Sequence, residues 1–362
     1  MPEQVDDDVE VRDRGTGAGR TRRRGWRALV LVVVSGLGIV LLLLVATGVV
    51  LSLTNPSPRD ATAWTTAAPL PDARGEGSGA VVETADGPQL AVVGGLSGFG
   101  STRDDVTLYD PTGDVWTTLS AMPESRHHTA AAAIGSTLYV SGGSPSATDL
   151  TTPTTDLWAL DVEDGGDWEQ LAPLPQPRWG HRMVALDGRV YAVGGQPGPD
   201  VQIYDPENDA WSLGAPLPEV RDHLGVVVHD GEIWVLGGRD QLDDLTTRVD
   251  VYDPEADEWR DGPALPAPVS AAAVGVVDDR IHVVDGEDPA TFGGGVLDAH
   301  WVLEPGADDW SAGPPSRLPV HGAADGVIDD RLYVIGGASR QGALSTISWT
   351  DDVQVLEPGA DS

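Results

Sequence analysis

Arginine and histidine side chains recur at one fixed place in this 362-residue sequence. Four arginines lie 16 or 20 residues before a Gly-Gly pair, and five of the eight histidines fall at or just after the same place in successive copies. These residues are Arg74, Arg126, Arg178, Arg221, His127, His128, His181, His223 and His321. Guanidinium groups bind carboxylates or phosphates in two-pronged fashion, and imidazoles add donors. The pattern therefore predicts an anion-binding site. Alternatively, the arginines hydrogen-bond backbone carbonyls of a neighbouring structural unit.

The residues two positions after the arginines are candidates for acid–base chemistry. Side chains alternate along an extended strand, so this residue should share the face of its arginine. The position holds Glu76, His128 and His223, which are groups suited to proton transfer near neutral pH. A zinc-type site formed by His128, His181 and His223 is a further alternative. Our main interpretation has no metal and no cofactor, because the sequence has no nucleotide loop, Ser-His-Asp spacing or paired zinc-ligand motif.

Six repeats of about 50 residues must position these side chains. Five repeats carry a Gly-Gly pair, the sixth carries Asp285-Gly286, and each is accompanied by a tryptophan: Trp64, Trp116, Trp168, Trp211, Trp259 and Trp310. A repeat of this length with four short strands is typical of one propeller blade, meaning one four-stranded sheet of a ring. The sequence therefore predicts an all-β protein with a six-bladed propeller over residues 64–362.

The first and last repeats are each incomplete. Trp64 lies in a strand with no preceding partner, and the segment 353–357 lacks the tryptophan strand that follows its counterpart at 302–310. Pairing residues 62–67 with 353–357 completes one blade and leaves the ring without an open edge. We therefore expect the two ends of the propeller region to share one sheet.

The repeats resemble the kelch family, whose motif runs Pro-Arg-x-x-His, x-x-Tyr-x-x-Gly-Gly and Tyr-Asp-Pro-x-x-Asp-x-Trp. The resemblance covers residues 64–362 and implies that the face carrying the arginines and histidines is the binding mouth. Copper oxidases that resemble galactose oxidase need a cysteine cross-linked to tyrosine, and this chain has no cysteine. Some exported six-bladed kelch proteins are sialic acid mutarotases. The resemblance thus implies an alternative enzyme reading, with Arg126 or Arg178 beside His128, His223 or Glu76.

Charge and hydropathy limit the partners and the location. The net charge of −35 repels nucleic acid, so we predict no nucleic-acid partner. Residues 28–53 contain no charge and would span about 39 Å as a helix, enough to cross a bilayer. Five arginines precede them, which favours a cytoplasmic side for that end. We expect a disordered tail over 1–27, a membrane anchor over 28–53, a linker over 54–63 and an extracytoplasmic propeller. A cleaved signal peptide is the alternative to the anchor.

The most variable loops follow the Gly-Gly pairs and lie on the predicted binding face. The long ones span 96–105, 144–155, 287–299 and 338–350, and include Phe99, Phe292 and Trp349. Variable loops on a rigid scaffold usually carry recognition. We therefore predict a surface-anchored, non-catalytic recognition or scaffold module that binds a protein, peptide or glycan. A sugar mutarotase or epimerase acting on an acidic sugar such as sialic acid, and a purely structural subunit of an envelope complex, are the alternatives.

Overall fold

The computed structural model describes residues 56–146, 152–240, 244–288 and 295–359. The predicted tail over 1–27, the predicted membrane helix over 28–53 and the start of the linker over 54–63 lie outside the described residues, as does Phe292. Within the described ranges, no helix has the length and apolarity that a membrane crossing requires.

Six antiparallel four-stranded sheets form the blades, each ordered from the inner to the outer strand. Blades 1 to 3 are β2 (Ser78–Thr84), β3 (Gly87–Val93), β6 (Val106–Asp110), β7 (Val115–Thr118); β8 (Ala130–Ile134), β9 (Thr137–Ser141), β10 (Leu157–Asp161), β11 (Glu169–Gln170); and β12 (Arg182–Leu186), β13 (Arg189–Val193), β14 (Val201–Asp205), β15 (Ala210–Gly214). Blades 4 to 6 are β16 (Gly225–His229), β17 (Glu232–Leu236), β18 (Val249–Asp253), β19 (Glu258–Asp261); β20 (Ala273–Val277), β21 (Arg280–Val284), β22 (His300–Leu303), β23 (Ser311–Ala312); and β24 (Ala324–Ile328), β25 (Arg331–Ile335), β26 (Val353–Leu356), β1 (Trp64–Thr66). The small hairpin β4 (Leu96–Ser97) and β5 (Ser101–Thr102) encloses a 3-10 turn at Gly98–Gly100, and a second 3-10 helix spans Gly342–Ile347.

The blades close into a ring of six. The first strands of successive blades contact one another in order, and the first strand of blade 6 contacts that of blade 1. Six buried apolar clusters each combine side chains from two neighbouring blades, including one between blades 6 and 1. The predicted all-β six-bladed propeller is therefore confirmed. Its hydrophobic core lies between the blades, because each sheet has to bury both faces against its neighbours.

Blade 6 contains strands from both ends of the described chain. β1 is antiparallel to β26, with Trp64 opposite Leu356 and Thr66 opposite Gln354. Backbone bonds extend the pairing, since Glu357 N–H donates to the Ala63 carbonyl at 3.2 Å. The outermost strand of this blade is thus supplied by the residues just after the linker, and no disulfide is available to hold the ring shut.

The Gly-Gly pairs join each blade to the next. In all six blades the second glycine donates its N–H, over 2.8–3.0 Å, to the carbonyl of the next blade's residue in the arginine column. The first glycine allows this approach: a Cβ on Gly142 would lie 2.5 Å from the Arg178 carbonyl oxygen. Both glycines also adopt positive φ, which costs glycine little. The repeated pair is therefore explained by contact between blades.

The tryptophan column forms a second set of contacts between blades. Each indole Nε1 donates to a backbone carbonyl of the preceding blade at 2.8–3.1 Å, as Trp116 does to Ala68 and Trp64 does to Pro314. An indole of this size fills the widening space between blades and still needs a partner for its N–H. These contacts give the repeated tryptophans a structural role between blades.

Blade 5 carries a histidine at two buried strand positions where the other blades have other residues. His282 replaces the tyrosine or tryptophan found at this place in four other blades, and its Nδ1 lies 2.9 Å from His300 Nε2. His300 lies where the other blades have valine or leucine. Burial lowers the pKa of His282 to about 3, and the charges of His300 and Arg280 act in the same direction.

This histidine pair should make the stability of the propeller depend on pH. An unfolded histidine has a pKa near 6.5, so between pH 6.5 and 3 the unfolded chain binds a proton that folded His282 does not. The stabilisation is complete above pH 6.5 and is lost as the pH falls toward 3. For this group the loss at pH 5 is about 2 kcal/mol. We expect the double variant His282→Tyr, His300→Val, which restores the usual residues, to lose correspondingly less stability between pH 7 and 5. The free energy of unfolding is measured by chemical denaturation at both pH values. An equal loss between pH 7 and 5 in the double variant and in the unmodified chain would contradict this assignment.

Candidate functional site

Six residues, one from each blade, form a closed backbone ring around the propeller axis, here called the axial ring. They are Glu76, His128, Gly180, His223, Ala271 and Gly322. Each N–H donates to the carbonyl of the residue before it in the ring, at 2.7–3.1 Å, so that the chain of bonds returns to its start. All six have φ between 52° and 63°. That conformation strains any residue except glycine by about 1–3 kcal/mol, and such strain concentrates at functional sites.

The positive φ also decides where the side chains point. Simple alternation predicts that Glu76, His128 and His223 share a face with their arginines. The left-handed turn breaks the alternation, so these three side chains face the axis, where they line a cavity of about 330 Å³. We call this the axial cavity. It is also lined by His127, His321, Arg239, Glu287, Trp349 and residues of the two 3-10 segments.

The four arginines of the column lie inside the blades and do not line the axial cavity. Each is at most 2% exposed and bonds to its own blade near the start of the third strand. Arg126 Nη2 is 2.6 Å from Asp156, and Arg221 Nη2 is 2.6 Å from Asp250. Arg74 pairs with Asp105, and Arg178 donates to the carbonyls of Gly194 and Asp200.

The placement of the arginines can be compared with the predicted anion-binding site. Of its two alternatives, the structure shows the arginines bonded to backbone and carboxylate groups, although within their own blade and not the adjacent one. Neither Arg126 nor Arg178 is brought beside Glu76, His128 or His223, as a site for an acidic sugar would require. Aspartates and backbone carbonyls within each arginine's own blade therefore bind the four guanidinium groups.

The histidines divide into two groups. His127, His128, His223 and His321 line the axial cavity. His181 instead bonds to Ser141 Oγ at 2.9 Å, between blades 2 and 3, and burial lowers its pKa well below the usual value. The three-histidine site with His128, His181 and His223 is thus not assembled, and Glu76 takes the third place.

Glu76 is the centre of the axial cavity. Its Oε2 lies 3.3 Å from His128 Nε2 and 3.8 Å from His223 Nε2, and its Oε1 lies 3.7 Å from His321 Nδ1. Burial raises the pKa of Glu76, but His128, His223, His321 and Arg239 outweigh it and lower the pKa to about 2. Burial lowers the pKa of His128 to about 3 against the opposing effect of Glu76. At pH 7 the cavity therefore holds a carboxylate facing a neutral imidazole.

Three charged residues in or next to the cavity were not among the sequence candidates: Arg239 and Glu287 line it, and Asp222 contacts its lining residues. Asp222 contacts His223 Nδ1, and Arg239 lies 3.1 Å from both Asp222 Oδ1 and Glu287 Oε1. Their positions in the repeat could have identified them, because each directly follows the arginine column or a glycine pair position. In every blade the residue after the arginine column forms an isolated bridge with the residue after the Gly-Gly pair, and Asp222↔Arg239 and Ser270↔Glu287 are two of these bridges.

An ion pair spans the axial channel beneath the ring. Arg182, on the first strand of blade 3, makes two hydrogen bonds of 3.1 and 3.2 Å to Asp325, on the first strand of blade 6. These blades lie opposite one another in a ring of six, so the ion pair crosses the channel. Burial raises the pKa of Asp325, opposed by Arg182.

The chain thus forms a six-bladed propeller whose axial cavity is lined by charged side chains. Comparison with known proteins supplies its family. The kelch-repeats domain described for KLHDC2, KLHL20 and DRC7 matches residues 49–216, and the kelch motif matches residues 221–266. The chain belongs to the kelch-repeat family.

Individual relatives match over the propeller region. Human Kelch-like protein 34 is 35% identical over 155 residues, which is 41% of this chain and 23% of the relative. Mouse Kelch-like protein 35 is 30% identical over 269 residues, 73% of this chain and 44% of the relative. This chain thus spans less than half the length of these curated relatives. The solved structure titled "Structure of YjhT" superposes with a TM-score of 0.66 at 17% identity, covering 80% of this chain and 96% of that one, and shows the fold alone.

Proposed function

We propose that this propeller is a non-catalytic recognition module that binds a protein partner on the face carrying the axial cavity. Many unrelated functions occur on propellers, so the argument has to come from the site. The arginines that an acidic-sugar enzyme would use are buried and bonded within their blades. The loop face, in contrast, offers irregular segments of different lengths around a rigid rim, which suits recognition of a macromolecule.

The exposure of the Phe99 side chain is the observation that carries this proposal. It is 90% exposed at the tip of the β4–β5 hairpin, where its φ of 55° holds it in a left-handed turn. Leu96 and Gly100, on either side of Phe99, line the axial cavity, so the phenyl group of Phe99 lies beside that cavity. An exposed aromatic on a constrained turn is a typical anchor for a protein interface. The charge of −35 adds that the partner surface should be basic.

Membrane anchoring and extracytoplasmic exposure form the second half of the proposal. They are supported by the uncharged run 28–53 and by the arginines before it. In this arrangement the module binds proteins of the envelope or the surroundings.

One crosslinking experiment tests both halves. The full chain is expressed in intact cells and treated with a membrane-impermeant or a permeant crosslinker, and captured proteins are quantified by mass spectrometry. We expect Phe99→Ser to lower capture of specific partners at least 10-fold with either reagent, because loss of an interface anchor costs about 2 kcal/mol. The control Leu213→Ser removes another exposed apolar side chain, 56% exposed on the outer strand of blade 3, and should change nothing.

The outcomes separate the two halves. Capture with the permeant reagent alone would contradict the extracytoplasmic location and leave the binding role standing. Partners that are captured equally by Phe99→Ser and by the unmodified chain would contradict docking on the β4–β5 hairpin.

A further inference from the structure

Two histidines and one glutamate on the axial ring aim their side chains at one point. Glu76, His128 and His223 come from blades 1, 2 and 4, and one potential ligand atom from each lies within 4.8 Å of the others. We propose that these three residues form a binding site for a divalent transition metal of the zinc class. The inference does not depend on the protein-binding role.

Hydrogen bonding at His223 fixes which nitrogen faces the point. His223 Nδ1 contacts Asp222 Oδ1, a carboxylate oxygen that accepts hydrogen bonds. The proton of a neutral His223 is therefore on Nδ1, and Nε2 presents a lone pair toward Glu76. Arg239 Nη2 lies 3.3 Å from both ring nitrogens and contacts the Nε2 lone pair, so a bound metal ion would replace that contact.

A relay of three groups fixes His128 in the same way. His127 Nε2 is 2.9 Å from the Ser146 carbonyl oxygen, which can only accept, so His127 carries its proton on Nε2. Its Nδ1 then accepts from His128 Nδ1, with which it is in contact. His128 Nε2 is left with a lone pair directed at Glu76 Oε2, 3.3 Å away.

Two imidazole lone pairs and a carboxylate oxygen thus face one another, and neither imidazole places its own proton between them. Imidazole nitrogen and carboxylate oxygen are zinc ligands, with bonds of about 2.0–2.1 Å that place tetrahedral ligand atoms about 3.3–3.4 Å apart. The His128–Glu76 separation of 3.3 Å already has this value, and the His223–Glu76 separation of 3.8 Å requires closing by a few tenths of an ångström.

The surroundings favour a cation with an open coordination position. Asp222 holds His223 as the second partner that metal-binding histidines usually have, and His127 does the same for His128. Asp222 and Glu287 both pair with Arg239, Arg182 below the ring is paired with Asp325, and Glu76 adds a further carboxylate. The backbone ring fixes the three ligands, and the axial cavity leaves space for water or a fourth ligand above them.

Cobalt(II) and zinc(II) titrations of the purified, chelator-treated full chain test the site. We expect one metal ion per chain, Co²⁺ absorption bands of a tetrahedral or five-coordinate site, and a melting temperature that rises with Zn²⁺. X-ray absorption on the unmodified chain should show two imidazoles with oxygen ligands, and this measurement needs no variant. Glu76→Gln should weaken binding at least 100-fold, and Asp222→Asn by about 10–100-fold through reorientation of His223.

A matched control is available on the opposite side of the fold. His229, Asp230 and Asp279 form a second group with metal-ligand spacing, two of them exposed. His229→Asn should leave the Co²⁺ spectrum and stoichiometry unchanged. The proposal is overturned if the unmodified chain binds neither ion with a Kd below about 1 mM, if bound Co²⁺ shows only water-like octahedral bands, or if binding is lost in His229→Asn and kept in Glu76→Gln. Partner capture through Phe99 is measured separately and is unaffected by any of these results.

Discussion

Replacing Trp64 with alanine is expected to lower the free energy of unfolding by about 3–5 kcal/mol. Trp64 is 2% exposed and packs into the apolar cluster between blades 5 and 6. Its indole donates to the Pro314 carbonyl at 3.1 Å, and its strand β1 is the outer strand of the blade that closes the ring. The substitution therefore removes a large buried side chain at the place where the two ends of the propeller meet.

The control for this prediction is the same substitution in another blade. Trp168 belongs to the same column and donates to the Ser120 carbonyl at 3.0 Å, but it is partly exposed and directly precedes β11, the outer strand of a blade whose strands follow one another along the chain. Trp168→Ala should cost clearly less than Trp64→Ala. Guanidinium denaturation followed by circular dichroism measures both, because fluorescence would change with the tryptophan count. A smaller loss for Trp64→Ala would contradict the role assigned to ring closure.

Asp250→Ala is expected to destabilise the propeller by a similar amount, about 3–5 kcal/mol. Asp250 and Arg221 are each 1% exposed in their side chains and lie 2.6 Å apart. Without the carboxylate, the guanidinium stays buried, and among the described residues its remaining hydrogen-bond partner is the Val235 carbonyl at 3.4 Å. Breaking a buried ion pair by removing one member leaves an uncompensated charge, which is far costlier than losing an exposed pair.

An exposed ion pair provides the comparison. Arg59 and Asp298 lie 2.5 Å apart with 38% and 47% of their side chains exposed. Asp298→Ala should change the free energy of unfolding by about 1 kcal/mol or less, since water and salt screen such pairs. The double variant Arg221→Met, Asp250→Leu should recover much of the loss seen in Asp250→Ala. If Asp250→Ala were no worse than Asp298→Ala, Arg221 would have to find solvent or another partner, and the arginine column would not be structural.

The repeat pattern was sufficient to predict the propeller because it records contacts that recur in every blade. Gly-Gly pairs, tryptophans and the arginine column are each selected by the same neighbour-to-neighbour geometry, as the bond from Gly143 to the Arg178 carbonyl and the bond from Trp116 to the Ala68 carbonyl show. Local patterns repeated six times therefore define the fold class without any information about distant residues. Blade 5, where His282 and His300 replace the usual residues, still follows the same fold.

The composition of the candidate site could not be predicted from local patterns, because its residues are brought together by contacts between blades that are distant in sequence. The sequence placed Arg126, His128 and Glu76 in equivalent columns, but burial pairs the arginine with Asp156 while left-handed backbone turns direct the other two toward the axis. Asp222, Arg239 and Glu287 join them only because blades 4 and 5 meet blades 1 and 2 across a closed ring.

The repeating unit, the number of blades and the face on which histidines accumulate could thus be predicted from local patterns. The tertiary structure alone decided which charges neutralise each other inside a blade and which converge on the axis. The physical reason is that a propeller buries its repeated residues between neighbouring blades, whereas the axis brings together one residue from each of six blades about 50 positions apart.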